Sequence, residues 1–422
     1  MSERRIIKVD ERVPLQKGIP LSIQHTFAMF SASVLVPYIL GISPAIALLM
    51  NGIGTLLFIF ITKGKSPAYL GSSFAFISPA LLVIKNMGYE YALGGFIVTG
   101  IIFMIVAFIV KFVGVKWIDA ILPPAAMGPV VALIGLELAK NAAENGGIVT
   151  TDTYTKIDPH YVIVFLVTLG FAVIGQVLYR GFASAIAILI AIIIGYVVAL
   201  FLGIVDFTPC LTQSWLALPN FAAPKFNMQA ILIIVPASLV VISEHIGHQV
   251  VTSEIIGQDL LKDPGLHRTL FSDGLSTTLS GLCGSVPTTT YGENIGVMAI
   301  TKVYSVWVIG GAAVFSILLS FIGKASGLIE TIPAPVMGGI SFLLYGMIGA
   351  SGIRLMVDAK VDYSKARNLA MTSVIFVTGL SGAFIKIGTV ELTGMSLSAL
   401  VGMAMGLVFY ILDRFHLTND YE

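Results

Sequence analysis

Runs of about 20 apolar residues recur from Gly18 to Leu412, separated only by short polar stretches. At roughly 1.5 Å per residue, a helix of that length covers the hydrocarbon core of a bilayer. A chain patterned this way folds in lipid rather than around one water-shielded core. Charge content agrees, because Asp, Glu, Lys and Arg make up 11% of the residues and hydrophobic types 56%, where soluble domains carry roughly 25% charged residues. Mean hydropathy is +0.94. The first run, Ile19 to Gly41, is too long for a signal-peptide core, has no small-residue cleavage site and leads straight into a second run, so it reads as the first membrane helix.

The expected fold class is an all-α polytopic membrane protein. Polar punctuation places helices near residues 19–41, 43–62, 67–84, 91–110, 120–139, 160–178 and 182–203. A second set falls near 229–252, 267–283, 288–301, 304–323, 331–352, 366–385 and 392–412, giving fourteen segments. With both termini cytoplasmic, eighteen of the twenty-four Lys and Arg residues fall in inside loops; Lys85, Lys140, Lys156, Lys225, Lys324 and Lys386 remain outside. The positive-inside rule selects that orientation, in the cell membrane. The net charge of +1 and the scatter of basic residues through short loops give no sign of a nucleic-acid partner. Cys210 and Cys283 have no metal-ligand spacing and read as ordinary buried or interfacial thiols.

Two segments do not suit a lipid-facing helix. Pro67 to Pro79 (PAYLGSSFAFISP) and Gly284 to Gly296 (GSVPTTTYGENIG) are rich in Gly, Pro, Ser and Thr. Irregular backbone at membrane depth is tolerated only where protein or a watery cavity satisfies its polar groups, so both should face a site through short extended stretches. They stand third and tenth in order, and the halves 1–210 and 211–422 echo each other elsewhere. Leu122 to Gly128 matches Ile332 to Gly338, Leu93-Gly94-Gly95 matches Ile309-Gly310-Gly311, and Gln24-His25 matches Glu244-His245. Seven spans per copy is an odd number, so the second copy enters from the opposite side. Inverted repeats with broken helices at the midplane are a transporter design.

Acidic residues deep in a span need a reason, since each costs roughly 2.5–3.5 kcal/mol at the bilayer centre on insertion scales. Glu137, Glu244, Asp273 and Glu293 are the candidates. Glu137, near the outer end of its helix beside Lys140, suits a structural role, whereas Asp273 stands among hydroxyl neighbours with either reading open. Glu244 and His248 are four apart and share a helix face, where they can share a proton or a ligand. His245 points off that face, which weakens a metal site made of Glu244, His245 and His248. Glu293 follows the Tyr291-Gly292 turn, where a starting half-helix would aim unpaired N–H groups into the site, matched by donors at Ser72, Ser73 and Phe74. Such a box, with no fixed positive side chain, suits a flat, neutral, hydrogen-bonding solute.

Glu293-Asn294-Ile295-Gly296 followed by Thr301-Lys302 meets the signature of the nucleobase–ascorbate transporters, and the chain resembles that family along essentially its whole length, most of all its bacterial uracil permeases. The resemblance implies fourteen segments in two inverted sevens, with spans 1–4 and 8–11 as a core domain and 5–7 and 12–14 as a gate domain. It implies a homodimer that imports uracil with protons by alternating access, and neither enzymatic activity nor a metal or cofactor. By motif position it makes Glu244 and Glu293 the hydrogen-bond partners of the base, with the N–H groups of Phe74 and Gly292 meeting its carbonyls. His248 would support binding and proton coupling together with the two glutamates, Ala32, Tyr291 and Tyr345 would line the pocket beside Ser73, and Asn294, Gly296 and Thr301 would carry the signature. Another base such as xanthine or urate, sodium coupling, an anion exchanger of the same layout and a metal-dependent membrane enzyme are the alternatives.

Overall fold

The computed structural model describes residues 6–150, 156–387 and 390–418. In chain order the elements are α1 (Leu15–Ile39), α2 (Pro44–Ile61), β1 (Leu70–Ser72), a 3₁₀ turn at Phe74–Phe76, α3 (Ile77–Asn86), α4 (Tyr89–Val113), α5 (Lys116–Ile121), α6 (Pro124–Glu137) and α7 (Ala139–Asn145). Then come α8 (Pro159–Leu178), α9 (Phe182–Ala185), α10 (Ala187–Phe201), α11 (Thr208–Thr212), α12 (Met228–Ile234), α13 (Pro236–Ile256) and α14 (Leu266–Cys283). The remainder is β2 (Thr288–Thr290), α15 (Gly292–Thr301), α16 (Val306–Ser320), α17 (Gly323–Glu330), α18 (Ala334–Asp358), α19 (Ala366–Leu380), β3 (Phe384–Ile387), β4 (Val390–Thr393) and α20 (Gly394–Arg414). The apolar runs read from the sequence fall on single helices, on two consecutive helices at 182–203 and 229–252, or on a strand and the helix after it. Eight helices among the described residues are long and apolar enough to cross a membrane, and four shorter apolar helices accompany them.

Large apolar side chains on α4, α8, α10 and α19, such as Phe108, Phe112, Val177, Phe201 and Val377, face outward. Water would not tolerate such a surface and lipid does. Lipid supplies no hydrophobic drive for helix association, so the helices meet through close backbone approach and small residues. The packing of α4 on α14 illustrates it. A Cβ built on Gly274 would lie 2.6 Å from the Gly100 carbonyl oxygen and 2.9 Å from the Met104 nitrogen, both backbone atoms that cannot yield. Replacing Gly274 by Val is expected to cost about 1–3 kcal/mol of stability by overpacking, read as a lower melting temperature of the purified protein in detergent.

The two irregular segments meet. β1 and β2 pair antiparallel with Leu70 opposite Thr290, Gly71 opposite Thr289 and Ser72 opposite Thr288. Beyond its strand, each chain turns into a short helix, the 3₁₀ turn and α3 on one side and α15 on the other. The strand pair thereby closes its own hydrogen bonds at membrane depth, and leaves two helix starts beside each other.

Two expectations need correction. Helix α19 ends at Leu380 rather than near 385, because Gly382 turns the chain with φ of 73° and the residues after it form a β3–β4 hairpin. An all-α fold with strands only in segments three and ten therefore misses a second two-stranded sheet; Phe384, Ile385 and Ile387 have the β-branched and aromatic character that suits it. Glu137 Oε2 accepts a hydrogen bond from the Met395 N–H at 3.1 Å, covering the first turn of α20, while Lys140 lies 3.8 Å from Glu144. Cys210 and Cys283 are both free thiols.

Candidate functional site

The helix starts at Phe74 and Gly292 open onto a cavity of about 370 Å3, at the small end of the roughly 300–1,000 Å3 typical of ligand pockets. Helix α13 supplies Glu244 and His248 from one face, one turn apart, and both line the cavity. The cavity is also lined by Thr289 and Thr290 of β2, by Tyr291, Gly292 and Glu293 leading into α15, by Ser72 at the end of β1, and by Phe74 and Ala75 in the 3₁₀ turn. Neither helix start has a side-chain cap: Ser73 and Tyr291 occupy the N-cap positions without such a bond. The first N–H groups of a helix have no backbone partner inside it, so those of Phe74 and Gly292 are donors for whatever fills the space, while the Glu293 N–H meets its own carboxyl group.

The remaining wall comes from α1, with Phe27, Ala28 and Ser31, and from α8, α9, α10 and α18, with Gln176, Ser184 to Leu189, Leu344, Met347, Ile348 and Ser351. That side is mainly apolar. The cavity therefore joins a polar face carrying two carboxyl groups, an imidazole and free amides to a greasy face with little to bond. A flat ring with donors and acceptors round its edge fits such a site, its faces against apolar groups and its rim against the polar ones.

Most of the expected site residues converge here. Phe74, Glu244, His248, Tyr291, Gly292, Glu293 and Gly296 all line the cavity. Ala32, Ser73 and Tyr345 do not. On α1 the cavity face runs through Phe27, Ala28 and Ser31, and Ala32 is turned into a cluster with Met29, Tyr69 and Tyr291. On α18 the face runs through Leu344, Met347, Ile348 and Ser351; Tyr345, one position further round, is buried among apolar side chains. The Ser73 N–H bonds the Pro287 carbonyl at 2.9 Å, extending the strand ladder, which leaves Phe74 as the donor on that side.

The other signature residues build the frame. Asn294 Nδ2 donates to the Pro67 carbonyl at 3.3 Å and ties α15 to the approach to β1, while the Thr301 hydroxyl bonds Val297 O at 2.7 Å in the last turn of α15. His248 Nδ1 lies 3.1 Å from the Thr290 hydroxyl, a holder that sequence reasoning missed although the threonine triplet of the broken segment was visible. His245 turns the other way, toward Asp273 at 2.9 Å, so Glu244, His245 and His248 do not converge as metal ligands.

Comparison with known proteins follows the same lines. The profile of a permease family matches residues 16–388. The chain is 58% identical to the uracil permease of Escherichia coli (strain K12) over 410 residues, covering 97% of this chain and 95% of that protein. It is 55% identical to the uracil permease of Paenibacillus larvae subsp. larvae, covering 99% of both, and 46% identical to that of Bacillus subtilis (strain 168), covering 92% of both. Among solved structures it is similar to the transmembrane domain of a cyanobacterium bicarbonate transporter, BicA, with a TM-score of 0.65 at 13% identity over 96% of this chain and 100% of that one. It is also similar to the murine Slc26a9 anion transporter in the inward-facing state, with a TM-score of 0.72 at 10% identity over 96% of this chain and 69% of the other. The chain is a multi-pass membrane permease and belongs to the nucleobase–ascorbate transporter family. It is a transporter, not an enzyme.

Proposed function

We propose that this protein imports uracil across the cell membrane by proton symport, through alternating access. The observation that carries the reading is the cavity in which Glu244 and Glu293 stand with the unpaired amides of Phe74 and Gly292. Uracil presents two N–H donors and two carbonyl acceptors in one plane, and carboxyl groups plus amides can satisfy all four. The relatives named uracil permease, 55–58% identical over nearly the whole chain, support the same solute. A site built for those groups rejects solutes that leave its buried polar atoms unpaired, and its acidic side chains disfavour anions even though the fold is shared with anion transporters.

Coupling follows from charge. Two carboxylates in a water-poor space repel each other, and taking up one proton as the base enters removes that cost. Glu244, with His248 one turn away, is the proton-linked group, and Glu293, at the backbone turn, is the recognition group. Fourteen segments form two inverted repeats, 1–210 and 211–422, with both termini cytoplasmic. Spans 1–4 and 8–11 make the core domain, spans 5–7 and 12–14 the gate, and two copies make a homodimer. Radiolabelled uracil uptake into proteoliposomes should collapse on adding a protonophore. Uptake that survives the protonophore and requires sodium would sink the proton assignment, and displacement of uracil by purines would redirect the reading to a broader base carrier.

A further inference from the structure

Behind the cavity lies a second cluster of ionisable groups, His245 and Asp273, which do not line it themselves but bond Thr289, which does. His245 and Asp273 are wholly buried, with His245 Nδ1 2.9 Å from Asp273 Oδ2. His245 Nε2 lies 3.0 Å from the Thr269 hydroxyl oxygen, and Thr269 donates its own hydrogen to the Leu266 carbonyl at 3.0 Å. That hydrogen is spent, so Nε2 must be the donor toward Thr269. On the other side, Asp273 Oδ2 accepts from the Thr289 hydroxyl at 3.1 Å as well as facing Nδ1. One proton on the Nδ1–Oδ2 line completes the set, whichever atom holds it. The pair is then neutral as a whole, as a buried site in lipid requires.

The anchored residue matters because of where it stands. β2 has three threonines, and each is fixed by a different bond. Thr288 is within 2.6 Å of the Ser276 hydroxyl and its carbonyl accepts from Thr277 at 2.8 Å; Thr289 bonds Asp273; Thr290 bonds His248. The strand leads directly into Tyr291, Gly292 and Glu293. His245 is the next residue after Glu244 on α13, so the path from His245 through Asp273 and Thr289 ties the helix carrying one glutamate to the strand that places the other.

We propose that His245 is a positioning residue, which with Asp273 holds Thr289 and so sets the start of α15 against Glu244 without carrying the transported proton. The proposal deepens the uracil–proton reading and rests on it for its transport consequences. Thr289→Val keeps the shape and removes the hydroxyl, while Thr289→Ser keeps the bond. In Thr289→Val and His245→Gln, backbone hydrogen exchange across residues 288–293 of the purified full-length chain should speed up by about tenfold, the equivalent of one buried hydrogen bond. In proteoliposomes the uracil KM should rise by about tenfold, with Vmax within about twofold and the pH profile of uptake unmoved. Thr289→Ser should restore both. Unchanged exchange in Thr289→Val would overturn the proposal, and so would a shifted pH profile, which would place the pair on the proton path. Exchange needs no uracil, so it decides the matter even if the wild-type chain carries another solute; and should His245→Gln fail to fold, the two Thr289 variants still give the answer.

Discussion

Glu244→Gln is expected to lower proton-driven uracil accumulation by at least about 100-fold, whereas Glu293→Gln is expected to weaken uracil binding first and transport only in consequence. Gln keeps the size and an acceptor oxygen of Glu but can neither carry the charge nor exchange it for a proton. At Glu244, beside His248 on the cavity face of α13, that removes the proposed step that ties proton movement to the base. At Glu293 it removes the charge from a hydrogen bond. Bonds to charged groups contribute about 1.5–3 kcal/mol, or about 10- to 150-fold in affinity. Thermal stabilisation of the purified protein by uracil reports the binding loss, since a ligand of the folded state alone raises its melting point. Uptake into proteoliposomes under an imposed pH gradient reports the coupling loss. Normal transport by both variants would place the site elsewhere.

The different reach of sequence and structure at this site has a physical basis. Span positions and the two irregular segments were legible because lipid imposes them: a bilayer demands about 20 apolar residues, and Gly, Pro, Ser and Thr at that depth demand a partner. Glu244 and His248 were legible as a pair because helical spacing is local. What depends on the phase of a helix against a distant neighbour was not. Ala32 and Tyr345 each miss the cavity wall by about one residue, a rotation of roughly 100° that nothing in their own segments fixes.

Contacts across the fold were likewise hidden. Asp273 and His245 were both visible as ionisable residues within spans, but their bond depends on how α13 and α14 lie together. The pairing of β1 with β2 joins segments far apart in the chain, and no local signal reports the register Gly71 to Thr289. The β3–β4 hairpin was lost for the opposite reason: its apolar residues extend the hydropathy of α19, and hydropathy alone does not separate a strand from the end of a helix.

That register yields the second large effect. Gly71 sits at the centre of β1, and a Cβ built there would run into the ring of Tyr291. The ring is itself held: it lies 6.4 Å, centroid to centroid, from the Tyr69 ring, and the Tyr291 N–H bonds the Tyr69 carbonyl at 3.1 Å. A methyl at position 71 must therefore push the ring or part the strands, and Tyr291 immediately precedes the Gly292 and Glu293 amides. Gly71→Ala is expected to cost about 1–3 kcal/mol of stability through overpacking and to lower uracil uptake by at least about 100-fold through displacement of the helix start. Gly296→Ala is the control, because Gly296 also lines the cavity on α15 but a Cβ there meets nothing within 4 Å. It should fold at least as well as the wild type, Ala being the better helix former by about 1 kcal/mol. Comparing melting temperature and uracil stabilisation for the two variants separates loss of the strand junction from simple narrowing of the cavity. If Gly71→Ala binds uracil as tightly as Gly296→Ala, the Tyr291 ring does not set the position of the α15 amides.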